Sequence, residues 1–266
     1  MNLSGKVCVI TGASSGIGKS LSIKLASKGA SVVLAARRNS KIESITNKIN
    51  QNGGEAFGIK TDITKRIECK NLIDETMDRY GKIDILLLGA GVSMWTPFED
   101  ISDISFFKDL MDTNYTGAVH CVYAALPHLI SASGMIVSCS TAQAIVGFTN
   151  HSGYAASKHA LHGFLDTIDM ELEGKVKFLE IFMGWIRGTN MRSNAFGPDG
   201  EKMGETKRKH STNSIELEDC TDRIIQSIIN NKKTSYIPWE LRLIPIFDLF
   251  MGNLLRKKIS KTVRSE

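Results

Sequence analysis

Short apolar runs alternate with longer amphipathic stretches along almost the whole chain. The apolar runs are Val7–Thr11, Ser31–Ala35, Glu55–Lys60, Ile83–Leu88, Met135–Ser138, Val176–Phe182 and Ser235–Ile237. They are continuous rather than alternating, as strands are when helices cover both faces of a sheet. Between them, apolar positions return at helical spacing over Ile17–Lys28, Lys41–Gln51, Lys65–Tyr80, Ile104–Ile130, Gly153–Glu173 and Leu217–Asn230. Strands and helices taking turns in this way predict right-handed βαβ units and a doubly wound parallel sheet of about seven strands, an α/β fold. No repeat, low-complexity tract or linker divides the chain, so residues 1–237 read as a single domain. Two segments break the pattern. Residues 188–214 are rich in Gly, Asn, Ser and Lys and predict a mobile loop, placed to act as a substrate lid. Residues 238–266 form a tail, first apolar and then basic.

Composition narrows the class. A chain of 266 residues with 42% hydrophobic content can bury one sizeable core without disulfides or metals. The net charge of +5 is modest and is concentrated in Lys207-Arg208-Lys209-His210 and in Arg256-Lys257-Lys258 with Lys261 and Arg264. Such short runs lack the interleaved aromatics and motifs of a nucleic-acid surface, and no nucleic-acid partner is expected. Cys8, Cys69, Cys121, Cys139 and Cys220 form no CxxC pair, and no histidine lies near them at ligand spacing, so no metal site is expected. Free thiols in apolar runs read as a reducing compartment. A strand beginning near Lys6 leaves no room for a signal peptide, and no stretch is long and apolar enough to span a bilayer. The expectation is a cytoplasmic protein.

The first strand runs directly into Thr11-Gly12-Ala13-Ser14-Ser15-Gly16-Ile17-Gly18, and a helix follows. Glycines here tighten the turn and let backbone N–H groups approach a pyrophosphate, while the helix N-terminus adds partial positive charge. A glycine triplet is weak evidence alone; within strand–turn–helix it becomes a Rossmann-type nucleotide fingerprint. The second strand ends Leu34-Ala35-Ala36-Arg37-Arg38, with no carboxylate to take a ribose 2′-hydroxyl. Guanidinium groups there suit a 2′-phosphate, which favours NADP(H), with Arg37 closer to the strand end than Arg38. Asp62, in Thr61-Asp62-Ile63 past the third strand, is placed either to accept a bond from an adenine amino group or to cap the next helix.

Tyr154 and Lys158 lie four residues apart at the start of a helix, on one face. A lysine ammonium beside a tyrosine favours the phenolate and makes it a tunable acid or base. Taken with the Gly12/Gly16/Gly18 turn, Asp62, Ala90-Gly91, Asn114 and a Ser/Thr-rich stretch before Tyr154, the chain resembles the classical short-chain dehydrogenases over about residues 5 to 235. The resemblance implies a hydride transfer between a nicotinamide and a carbonyl or alcohol. Tyr154 would be the general acid/base, and Lys158 would tune it and hold the nicotinamide ribose. Asn114 would support a proton-relay water, and Thr189 would hold the carboxamide. The substrate-orienting hydroxyl falls to Ser140 or Thr141, with Ser140 preferred and Ser138 nearer the core. The resemblance also implies cofactor contacts from Ser14, Ser15, Ile17 and Ile63, and a homodimer or homotetramer built on the two long helices. The Arg37 region resembles an NADPH-preferring branch that includes 11β-hydroxysteroid dehydrogenase and ketosphinganine reductases. Two departures touch the cofactor floor: Leu88-Gly89 replaces the family's Asn-Asn, and Met183-Gly184 replaces its Pro-Gly. They motivate a second reading, a regulatory or scaffold protein that binds nucleotide without turnover.

Loop residues Met94, Trp95, Phe148, Trp185, Met191 and Phe196 would line the substrate side and suit a lipophilic carbonyl compound or alcohol. The tail's apolar run ahead of Arg256-Lys257-Lys258 fits a peripheral membrane contact, a segment closing the pocket, or packing on a partner subunit, with Pro245 and Gly252 limiting it to short helices.

Overall fold

A computed structural model describes residues 1–204 and 214–265; the lysine-rich run at 207–210 lies outside them. Seven strands form one sheet: β1 (Val7–Thr11), β2 (Ser31–Ala36), β3 (Glu55–Lys60), β4 (Ile85–Leu88), β5 (Met135–Thr141), β6 (Lys177–Met183) and β9 (Thr234–Ile237). Their order is β3-β2-β1-β4-β5-β6-β9, and every neighbouring pair is parallel. The chain winds outward from β1 in both directions, so the order reverses between β1 and β4. A crevice opens there beyond the strand C-termini.

Both faces of the sheet are covered, which explains the unbroken apolar runs. Cys8, Ile10, Leu34, Leu87 and Val137 point to one face, under α1 (Gly16–Ala26), α2 (Asn39–Gln51) and α7 (Leu217–Ile229). Val9, Val33, Leu86 and Ile136 point to the other, under α3 (Arg66–Tyr80), α5 (Gly117–Ser131) and α6 (Ser152–Glu171). All five cysteines are buried free thiols within this packing.

The long helix expected over Ile104–Ile130 is divided. It runs as α4 (Phe106–Met111), then one wide π turn over Asp112–Thr116, then α5. Apolar periodicity continues through the turn, so the sequence pattern does not reveal it. Such turns frequently sit at functional sites.

The described part of the expected lid is docked rather than loose. Phe196 exchanges backbone bonds with Ser93 and Trp95, at 2.8 and 2.9 Å. Its ring stacks on Phe106 at 5.1 Å. A short parallel pair, β7 (Ile186–Arg187) with β8 (Ile215–Glu216), ties the two ends of the segment together. The tail folds as α8 (Ile244–Ser265), broken at Met251 beside Gly252, with Pro245 tolerated in its first turn. Its far end docks on its own subunit, where Val263 is buried against Trp95 and Ala195. Its outer face stays apolar, with Leu249 and Phe250 exposed by 78% and 79%. Among the described residues no helix is long and apolar enough to cross a membrane.

Candidate active site

The glycine turn after β1 is built by close backbone approach. Gly12 adopts φ +69°, and a Cβ there would lie 2.7 Å from the backbone of Gly89 and Ala90. A Cβ on Gly18 would lie 2.6 Å from the Gly12 carbonyl oxygen. Only glycine permits the turn and helix to pack so closely. The first turn of α1 has no acidic residue and no side-chain cap. Its N–H groups and dipole are therefore left for an external anion.

Both arginines at the end of β2 line the crevice, but Arg38 is the one fixed to the turn. Its guanidinium donates to Ser14 Oγ at 2.7 Å and to Ser15 Oγ at 2.8 Å. Proximity to the strand end favoured Arg37; the serine hydroxyls, two residues inside the turn, make Arg38 the better anchored cation. Lys202 of the docked loop lines the same cavity. Burial, and then the Arg37 charge, hold its ammonium below the usual lysine range. Asp62 also faces the cavity, while its Oδ1 accepts from the Thr64 amide at 3.1 Å and hydroxyl at 2.9 Å. It closes a local turn, and the cap position of α3 passes to Lys65.

The floor after β4 shows how the chain accommodates Leu88-Gly89. A Cβ on Gly89 would lie 2.8 Å from the Thr11 carbonyl oxygen. Thr11 Oγ1 accepts from the amides of Gly89 and Ala90 at 3.1 and 3.2 Å. The hydroxyl holds this loop from β1. Asn114, on the π turn, is almost fully buried one layer behind the cavity wall. Its Nδ2 donates to Val92 O at 2.8 Å and Ser157 Oγ at 2.9 Å, and its Oδ1 accepts from Val92 N at 2.9 Å. It clamps the loop after β4 to α6; Thr113, its neighbour, is the residue that reaches the cavity.

Tyr154, Lys158, Ser140 and Thr141 all line the cavity beyond β5 and the first turns of α6. The Lys158 ammonium lies 5.9 Å from the Tyr154 ring centre and donates to Cys139 O at 3.4 Å. Burial raises the Tyr154 phenol above its ordinary range and lowers the Lys158 ammonium. The expected lowering of the tyrosine by its lysine is not seen here; burial alone shifts the phenol, because desolvation disfavours the charged form. Ser140 and Thr141 are separated by their partners. Thr141 Oγ1 accepts from Gln143 N at 3.3 Å, whereas Ser140 Oγ is buried with no partner. Ser138 shares the face of Ser140 but lies two residues deeper in the strand, buried behind the wall.

These groups share one cavity of about 540 Å³. Its walls carry Gly12, Ser14, Ser15, Gly16, Ile17, Gly18, Ile63, Ala90, Gly91 and Thr189 as well as the residues above. Trp95, Phe148, Trp185 and Met191 line the other end. Met94 and Phe196 do not; they join Phe106, Leu110 and Tyr154 in a small core. Leu241 of the tail reaches the wall. The sequence reading missed Gln143, His151, Asn190, Arg192 and Asn194, which make this end polar as well as aromatic. The Arg192 guanidinium stacks 4.6 Å over Trp95. Polar residues inside loops gave no periodic signal that would have marked them.

A crevice at the reversal of a parallel sheet, a glycine turn feeding an uncapped helix, and a Tyr/Lys pair beyond the sheet define a dinucleotide-binding α/β protein. Comparison with known proteins narrows the class. The family model described as short chain dehydrogenase matches residues 6–199, and the chain belongs to that family. Relatives carry the name 11-beta-hydroxysteroid dehydrogenase. One from Pinus massoniana is 31% identical over 96% of this chain and 73% of its own length. An 11-beta-hydroxysteroid dehydrogenase-like 2 of Arabidopsis thaliana is 39% identical over 73% of this chain. The chain spans 58–63% of the length of the Arabidopsis relatives named 1A, 1B and like 2. Among solved structures, a short chain dehydrogenase/reductase from Burkholderia phymatum in complex with NAD superimposes with a TM-score of 0.79 at 20% identity, covering 91% of this chain and 94% of that one. An alcohol dehydrogenase from Thermococcus sibiricus complexed with 5-hydroxy-NADP gives 0.74 at 23% identity, covering 87% and 94%. At these identities the two structures show the shared fold.

Proposed function

We propose that the protein is an NADP(H)-dependent oxidoreductase that reduces the carbonyl group of a lipophilic compound, or oxidises the corresponding secondary alcohol. One observation carries the reading: the uncapped α1 N-terminus with its Ser-anchored arginine, and the Tyr154/Lys158/Ser140 group, line one cavity.

The turn residues Gly12 to Gly18 would hold the pyrophosphate. Arg38 and Arg37 would take the 2′-phosphate, Asp62 and Ile63 the adenine side, and Ala90, Gly91, Lys158 and Thr189 the nicotinamide half. The cradle fits such a group: the first turn of α1 is left uncapped, and a Cβ at Gly12 or Gly18 would strike the backbone that shapes the turn. When bound, the nicotinamide supplies or accepts the hydride. Ser140 Oγ donates to the substrate oxygen and fixes its position. Tyr154 supplies the proton that the developing alkoxide takes up. Its raised pKa keeps the phenol protonated at neutral pH, the state required for reduction. Lys158 orients the phenol and stabilises it after proton loss. Asn114 positions the floor and α6, and a relay water next to that floor would return the proton to Tyr154.

The aromatic wall of Trp95, Phe148 and Trp185 supports an apolar substrate body. Exposed Tyr123 on α5 and Met170 on α6 support a homodimer or homotetramer through those helices. The apolar outer face of α8, followed by Arg256, Lys257, Lys258 and Lys261, supports peripheral contact with an anionic membrane. The test is a nicotinamide fluorescence titration with NADPH and with NADH, followed by turnover on a panel of lipophilic ketones. Tighter NADPH binding with ketone-dependent loss of nicotinamide absorbance is expected. Absence of binding by either cofactor would overturn the reading.

A further inference from the structure

Two side chains that line the cavity have no part in the scheme above, and each keeps one acceptor atom without a bond. His151 lies three residues before Tyr154, is almost fully buried, and lines the cavity. Its Nδ1 lies 2.8 Å from the Thr149 carbonyl oxygen. A carbonyl accepts only, so Nδ1 carries the proton, and Nε2 presents a lone pair. Among the described residues nothing bonds to Nε2. The ring is held edge-on to Trp95 at 4.8 Å and beside Trp185 at 5.9 Å, so it cannot swing away to find a partner without unstacking. Burial pulls the imidazole down to about 4, and the Arg192 charge adds to this against the Thr149 bond, so the ring is neutral at physiological pH.

Gln143 lies three residues after Ser140, on the single 3₁₀ turn Ala142–Ala144 that leaves β5. Its backbone amide is spent on Thr141, which fixes the turn. Its side chain is buried and lines the cavity, and its Oε1 has no partner. A buried acceptor left without a donor is costly, and a donor entering the cavity can relieve that cost. The two residues flank the reacting pair, one following Ser140 and one preceding Tyr154, and the His151 ring is 6.3 Å from the Tyr154 ring.

We propose that Gln143 and His151 form a second polar pole of the substrate cavity that accepts a hydrogen bond from a hydroxyl of the substrate, a few bonds from the reacting carbonyl. The substrate class is then a hydroxy-ketone, or the matching diol, on an apolar or aromatic body that lies against the tryptophans. This rests on the oxidoreductase reading for the reaction but concerns specificity. A site built to bond a hydroxyl rejects the analogue that lacks it more strongly than any apolar wall could.

The experiment compares acetophenone with α-hydroxyacetophenone on wild type, His151→Phe, His151→Asn and Gln143→Leu. Two readouts are taken: the kcat/KM ratio with NADPH, and the affinity of each ketone for enzyme loaded with NADP⁺, followed through tryptophan fluorescence. Thermal melts by circular dichroism show which variants fold. The preference for the hydroxylated ketone should fall at least about tenfold in His151→Phe and in Gln143→Leu. It should be partly kept in His151→Asn, which retains an acceptor. A purely structural histidine would lower both ketones alike and leave the ratio unchanged, and that result in a folded Gln143→Leu or His151→Phe overturns the proposal. Discriminating binding without turnover would uphold the pole and defeat the oxidoreductase reading. Turnover with no hydroxyl preference in wild type would do the reverse.

Discussion

Replacing Asn114 by alanine removes three hydrogen bonds at once. Two of them leave backbone groups without partners: Val92 N–H, which donates to Oδ1 at 2.9 Å, and Val92 C=O, which accepts from Nδ2 at 2.8 Å. The third partner, Ser157 Oγ, keeps its own bond to Tyr154 O at 2.8 Å and loses only an incoming donor. An orphaned buried backbone group costs about 1–3 kcal/mol, so two give about 2–6 kcal/mol. Val92 is half-buried, and water reaching it places the expected loss in the lower part of that range, about 2–4 kcal/mol. For a chain of this size each kcal/mol moves Tm by roughly 2–4 °C, which predicts a drop of roughly 4–16 °C. The assay is thermal and urea unfolding by circular dichroism on wild type, Asn114→Ala and Asn114→Asp. Asn114→Asp keeps the acceptor but sets a second oxygen against Val92 C=O in a buried site, so it should be no more stable than Asn114→Ala. A Tm for Asn114→Ala within about a degree of wild type would refute the clamp and leave the π turn without a structural purpose.

Three further outcomes follow from the same geometry. Arg38→Ala should weaken NADPH about tenfold or more and leave NADH nearly unchanged in nicotinamide titrations, with Arg37→Ala smaller in effect; equal losses for both cofactors would remove the 2′-phosphate argument. His151 has a folded pKa of about 4 against 6.5, so the unfolded chain binds its proton first and stability is lost as pH falls between those values. The gap corresponds to about 3 kcal/mol, and urea midpoints from pH 7 to 4 should decline less steeply in His151→Asn than in wild type. Replacing the exposed Leu249 and Phe250 with Ser and Glu should abolish cosedimentation with phosphatidylserine vesicles; wild type that never sediments with them would exclude the membrane contact.

The sheet was legible because strands buried on both faces write continuous apolar runs, and helices between them write a different period. Ends were less sharp: β5 extends to Thr141 rather than Ser138, and β4 starts at Ile85 rather than Ile83. Strand ends at a cavity carry polar residues, and burial there no longer tracks hydrophobicity. The π turn at Asp112–Thr116 was invisible because one extra residue in a helical turn barely changes the apolar stripe. The glycine turn could be read because an added Cβ would lie 2.6–2.7 Å from neighbouring backbone, which admits only one residue type. Arg38 differs from Arg37 through the Ser14 and Ser15 hydroxyls, and Thr141 differs from Ser140 through the Gln143 amide. Both are contacts across turns, which spacing does not specify. The loop at 188–204, rich in turn formers, looked mobile, yet Phe196 and Ala195 anchor it by burial. His151, Gln143 and Arg192 stood unmarked because a polar residue in a loop is ordinarily solvated; the packing of Trp95 and Trp185 against His151 and Arg192 is a long-range contact that spacing does not specify.

The central claim, that this cavity transfers a hydride between NADP(H) and a carbonyl, is tested most directly by label transfer. NADPH deuterated at the transferable nicotinamide position is incubated with the protein and a lipophilic ketone, and the alcohol is analysed by mass spectrometry. Wild type should deliver deuterium to the carbinol carbon, and Tyr154→Phe, with cofactor still bound, should lose nearly all of that product. NADPH bound tightly by wild type with no deuterated alcohol from any ketone would contradict the account.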